Sequence, residues 1–172
     1  MPEARATPDG QRLLVMKPDP VAREVELTIL GPGNVVVKQQ RLPLITAMVF
    51  RPDGQRIGVA GWGGVMMLDA GSGEVLWRDE KGGGVLKGGL RFDADGNRLF
   101  VVEASREPKA PNLKLRVRRL RTADGAAESA DLGTVPADRA PAVRGIVPVG
   151  VERSIVLHDR VVRVPARAWR AR

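Results

Sequence analysis

A short turn motif returns along this chain at a near-constant interval. Pro8-Asp9-Gly10-Gln11-Arg12-Leu13-Leu14-Val15-Met16, Pro52-Asp53-Gly54-Gln55-Arg56-Ile57-Gly58-Val59-Ala60 and Ala94-Asp95-Gly96-Asn97-Arg98-Leu99-Phe100-Val101-Val102 share Asp-Gly, a polar residue, Arg and an apolar run. Their glycines are 44 and 42 residues apart, and a degraded fourth copy around Gly150 follows after 54. Phe50, Phe92 and Ile146 each stand four residues before the turn glycine. Self-similarity at a period of this size means that one supersecondary unit, unable to bury its apolar face alone, stacks on its like.

Each unit reads as antiparallel strands. Asp-Gly supplies the positive φ that a tight hairpin needs, and the flanking apolar residues mark the paired strands. Runs such as Leu99-Phe100-Val101-Val102 are apolar at consecutive positions, so both faces of the strand must be covered. Stacked four-stranded sheets do this, and a period of about 40–45 residues with four strands per unit is that of a propeller blade. The expected fold is all-β, a single domain over 1–172 with blades at 8–41, 44–80, 85–133 and 141–171. The first blade's innermost strand would have to lie in Met1 to Thr7, which is short, polar and interrupted by Pro, so it is expected to be missing. That leaves about 3.5–4 blades. The fourth blade is expected to end in a strand near 167–171, with Trp169 covering its outer edge.

The stretch from Ala47 to Gly61, Ala-Met-Val-Phe-Arg-Pro-Asp-Gly-Gln-Arg-Ile-Gly-Val-Ala-Gly, resembles the first two strands of a WD-repeat β-propeller blade. Gly64-Val-Met-Met-Leu-Asp-Ala-Gly-Ser-Gly-Glu-Val-Leu-Trp77 is similar to the repeat of quinoprotein-like propellers. Leu68-Asp69 stands at the Trp-Asp position of WD repeats, and no Gly-His pair occurs. The resemblance implies that alternate loops gather on one mouth, where partners dock. Those loops hold Trp62, Lys81, Lys87, Arg106 and Lys109. Trp62 is the aromatic expected on this rim, either as a contact or wedged between blades; interface energy concentrates on such residues. The resemblance also implies a ring that must close. Four blades could close alone, pair with a second copy, or join blades on another polypeptide; the last two are favoured because end blades would otherwise expose apolar sheet faces.

Twenty-eight basic against 20 acidic residues give a net charge of +8, which suits nucleic acid, anionic lipid or an acidic protein, or simply a solvated surface. In Leu113-Lys114-Leu115-Arg116-Val117-Arg118, alternation puts Lys114, Arg116 and Arg118 on one face as a basic stripe. Phosphates could bind there. Aromatic stacking platforms for bases are scarce, however, with 3% aromatic residues and no Tyr. A solvated face, or one meeting an acidic neighbour, is favoured over a nucleic-acid grip.

Catalytic chemistry finds little to stand on. No Cys and one His exclude structural zinc, disulfides and thiol catalysis. His158 would need a serine and an orienting carboxylate to form a triad; a structural role at a strand end is the simpler reading. Asp93-Ala94-Asp95-Gly96 lacks the further ligands of a calcium loop, and Gly82 to Gly89 lacks the Walker pattern. No metal or cofactor is expected. No apolar run reaches membrane-spanning length and no apolar leader core is visible, so a cytoplasmic location is expected. The reading favoured is a non-catalytic protein–protein interaction scaffold that associates with itself or a partner. The alternatives are part of a quinoprotein-like propeller enzyme and a basic nucleic-acid-binding propeller.

Overall fold

The computed structural model describes residues 2–81, 84–106, 110–149, 152–158 and 160–171. The first sheet comprises β1 (Glu3–Ala6), β2 (Leu13–Asp19), β3 (Glu24–Leu30) and β4 (Val36–Pro43). The second holds β5 (Ile45–Phe50), β6 (Arg56–Gly61), β7 (Gly64–Asp69) and β8 (Val75–Asp79). The third is built from β9 (Gly84–Phe92), β10 (Arg98–Arg106), β11 (Asn112–Arg121) and β12 (Ala127–Pro136). β13 (Val143–Val149), β14 (Glu152–Leu157) and β15 (Val161–Val164) form the fourth, and β16 (Arg170–Ala171) ends the described chain. Every pairing is antiparallel between sequence neighbours except that of β16, which lies along β12 as a fifth strand of the third sheet. Among the described residues, helical structure is confined to three single 3-10 turns.

The repeat is written in the backbone. Gly10, Gly54 and Gly96 all have φ near +70°. Thr7, Arg51 and Asp93 each donate N–H to the carbonyl five residues on, at Arg12, Arg56 and Arg98. Asp9 and Asp53 accept the Gln11 and Gln55 amides at 3.0 Å, so the expected hairpin role of these Asp-Gly steps is what the structure contains.

The chain forms two compact units, Met1–Lys81 with Ala94–Gly96 and Gly82–Asp93 with Asn97–Arg172. In the first, Leu14, Met16, Val25, Leu27 and Ile29 of the first sheet share a core with Met48, Ile57, Val59, Met66 and Leu68 of the second. β3 alternates buried and half-buried residues, as a one-sided strand must. β6 and β7 instead bury Ile57–Ala60 and Val65–Leu68 without a break, so both faces of the second sheet are covered. In the second unit the core joins Phe100, Val102, Leu115 and Val117 to Val143, Ile155, Leu157 and Val164.

Two expectations are corrected here. The innermost strand of the first blade is present: Glu3 to Ala6 pair with Met16 to Leu13. All four residues are exposed, so backbone pairing holds the strand and no apolar pattern announces it. The fourth sheet has three strands, because the segment near 167–171 pairs along β12 instead. Trp169 correspondingly packs edge-on to Phe100 of β10, with ring centroids 6.2 Å apart.

Asp69, at the WD-like position, organises the β7–β8 turn. Its Oδ1 accepts the Gly71 and Ser72 amides at 2.9 and 2.7 Å and the Ser72 hydroxyl at 3.0 Å. Chiefly the Ser72 amide holds its pKa below the ordinary 3.8. A depressed carboxylate stabilises the fold above its unfolded pKa, and the effect is lost as pH falls through the folded value. Asp69→Ala is therefore expected to cost about 1 kcal/mol at neutral pH. Thermal melts should show the gap between variant and wild type narrowing only below about pH 4.

Candidate partner-binding surface

Trp62 sits at the tip of the β6–β7 hairpin, between Gly61 and Gly63-Gly64. The glycines are required by close backbone approach. A Cβ at Gly61 would overlap the Leu44 carbonyl, and one at Gly63 would come within 2.7 Å of the Pro43 ring. Leu44 fixes the site from behind: its carbonyl accepts the Trp62 amide at 3.0 Å, and its own amide donates to the Arg23 carbonyl at 2.8 Å. Arg23, in the left-handed region at φ 56°, thereby brings its guanidinium to 4.4 Å from the Trp62 ring centroid. One residue therefore positions both partners of a cation–π contact, worth about 0.5–1 kcal/mol at an exposed site. The indole remains 62% exposed, displayed rather than wedged.

The cations named from the sequence fall into distinct environments. Lys81 and Lys87 are exposed, with the Lys81 amide held by Asp79 Oδ1 at 2.9 Å. Arg106 is exposed at the end of β10, and Lys109 lies outside the described residues. Lys114 is exposed and paired with Asp131 at 3.2 Å. Arg116 is half-buried, and its Nε is shielded without a hydrogen-bond partner. The uniform basic stripe needs correction at Arg118. Its side chain is 1% exposed and forms an ion pair with Glu103, itself 1% exposed, on β10. Alternation assigns the correct face of β11, but carboxylates on the two flanking strands engage two of the three cations: Glu103 draws Arg118 inward, and Asp131 pairs with Lys114 at the surface.

Arg119, on the other face, is ion-paired with Glu128 and stacks 4.3 Å from the Trp169 centroid. Its hydrogen bond to Glu128 holds that carboxyl below its usual range. His158 is exposed at the β14 end, its amide donating to the Ala142 carbonyl at 3.0 Å. Among the described residues, no group of three or more His, Cys, Asp or Glu could hold a metal ion. No helix there is long and apolar enough to cross a membrane.

Successive antiparallel meanders, each spanning roughly the sequence repeat, define a chain of β-propeller blades. No protein-family model matches the chain, and a search of curated proteins finds no match. Among solved structures it is similar to hydrazine synthase of Kuenenia stuttgartiensis, with 15% identity and a TM-score of 0.52 over 91% of this chain. It spans 44% of that chain's length. It is also similar to the β-propeller domain of the Trilobed protease from Pyrococcus furiosus (12% identity, TM-score 0.46, 94% of this chain and 66% of that one). The WD40 domain of SCAP from fission yeast follows at 9% identity and TM-score 0.43, over 99% of this chain and 43% of that one. At these identities the likeness is one of fold.

Proposed function

We propose that this chain is a non-catalytic protein–protein interaction scaffold built from propeller blades, completing its set of blades with a second copy or a partner chain. The observation that carries the reading is the Trp62 tip. An aromatic that is mostly exposed, backed by Arg23 and locked through Leu44, offers a large contact area at little further ordering cost. Interface hot spots are rich in Trp and Arg. The burial of Arg118 against Glu103 and the pairing of Lys114 with Asp131 also favour a protein partner over a polyanion.

Affinity capture with Trp62→Ala tests this. The variant should keep the wild-type melting temperature and lose its principal partner by about tenfold or more, the range of a hot-spot truncation. A variant that retains every wild-type partner at wild-type strength refutes the role of the tip. Light scattering tests the assembly: a species well above the 18.6 kDa of one chain is expected, alone or with the partner.

A further inference from the structure

Among the described residues the fourth sheet has three strands, whereas the other three each carry a strand outside their third. The segment that the repeat places there is diverted. Pro165 ends β15, the 3-10 turn Ala166–Ala168 re-aims the chain, and Trp169 is buried against Phe100 and Arg119. Among the described residues, no strand pairs with the outer edge of β15.

The phase of that edge follows from its hairpin. The Leu157 amide donates to the Arg160 carbonyl at 2.8 Å, so this pair closes the turn. Alternation along an antiparallel ladder then turns the backbone groups of Val162 and Val164 toward β14, and those of Val161 and Arg163 outward. Val161 is 60% exposed and Arg163 is exposed on the same face. Unpaired edges of this kind accept a further strand through main-chain hydrogen bonds.

Charge selects the occupant. From Glu152 to Arg172 the chain carries six Arg against Glu152 and Asp159. Arg160, Arg163, Arg167 and Arg170 are all exposed. Pairing this edge with its copy would set like charges opposite one another, which destabilises a ladder. We propose that the outer edge of β15 binds an extended acidic segment of a protein partner, which adds as the fourth strand with alternate carboxylates facing Arg163. The site is separate from the Trp62 tip, so capture through Trp62 and binding at this edge succeed or fail independently.

A fluorescein-labelled acetylated peptide alternating Glu and Val, titrated by anisotropy at low salt, tests the proposal. Saturable binding is expected. The same peptide N-methylated at alternate residues keeps every charge but loses one row of amide donors, and should bind about tenfold or more weakly. Arg163→Glu, checked for folding by circular dichroism, should weaken binding to a similar degree, while the equal charge change Arg41→Glu on the first sheet should leave it within about twofold. Equal binding of the methylated peptide overturns strand addition, whatever the variants do. So does the absence of binding, or a single-stranded DNA of equal charge that binds as tightly as the peptide.

Discussion

Arg118→Met is expected to destabilise the second unit by about 3–5 kcal/mol, because it breaks a buried ion pair by taking the Arg118 cation from beside the Glu103 carboxylate. The two side chains are equally buried, on adjacent strands of the third sheet, and removing either one breaks the pair. Replacing both at once is a different matter. The pair recovers in Coulomb attraction roughly what its desolvation costs, so Arg118→Met with Glu103→Leu should regain most of the loss and can exceed the wild type. Urea denaturation of both singles and the double closes the cycle. Near-additive losses would show that the pair does not act as a unit.

That pair also marks where sequence reasoning stops. Alternation in β11 sorts Lys114, Arg116 and Arg118 onto one face, and they share it. Depth along that face depends on what the neighbouring strands set beside each residue, and this requires the register. Glu103 is 15 positions from Arg118 and Asp131 is 17 from Lys114, so nothing local links them. Residues under a conformational demand were far more legible. The positive φ of Gly10, Gly54 and Gly96 admits few residue types, and those positions gave the blade period directly. A second turn series, with Gly73 and Gly125 both at φ 74° as the fifth residues of Asp69-to-Gly73 and Arg121-to-Gly125, is hidden in the sequence because its spacing of 52 departs from the first.

Strand β1 leaves no trace in the sequence for the opposite reason: four exposed residues carry no hydrophobic pattern. At the candidate site, Trp62 stood out by residue type and its glycine neighbours. Its partner Arg23 did not, since Leu44 brings the two together across 39 residues of sequence.

Trp169→Ala should cost about 3–5 kcal/mol, the range for truncating a large buried aromatic. The loss includes the edge-on contact with Phe100, the Arg119 stack and the anchoring of β16 on β12. Both ladder pairs of β16, Glu128 with Ala171 and Ser129 with Arg170, follow directly after the ring, so hydrogen exchange at the β16 amide that faces β12 should accelerate in the variant. Trp169→Phe separates shape from polarity. The indole Nε1 is shielded and has no hydrogen-bond partner, a burden that Phe removes while keeping an aromatic face under Arg119. The Phe variant should therefore lose far less than the Ala variant, about 1 kcal/mol or below. If the two variants melt together, the segment is held by its backbone alone. If Phe is as costly as Ala while exchange at β16 stays slow, the ring is serving the third-sheet core and not the terminal strand.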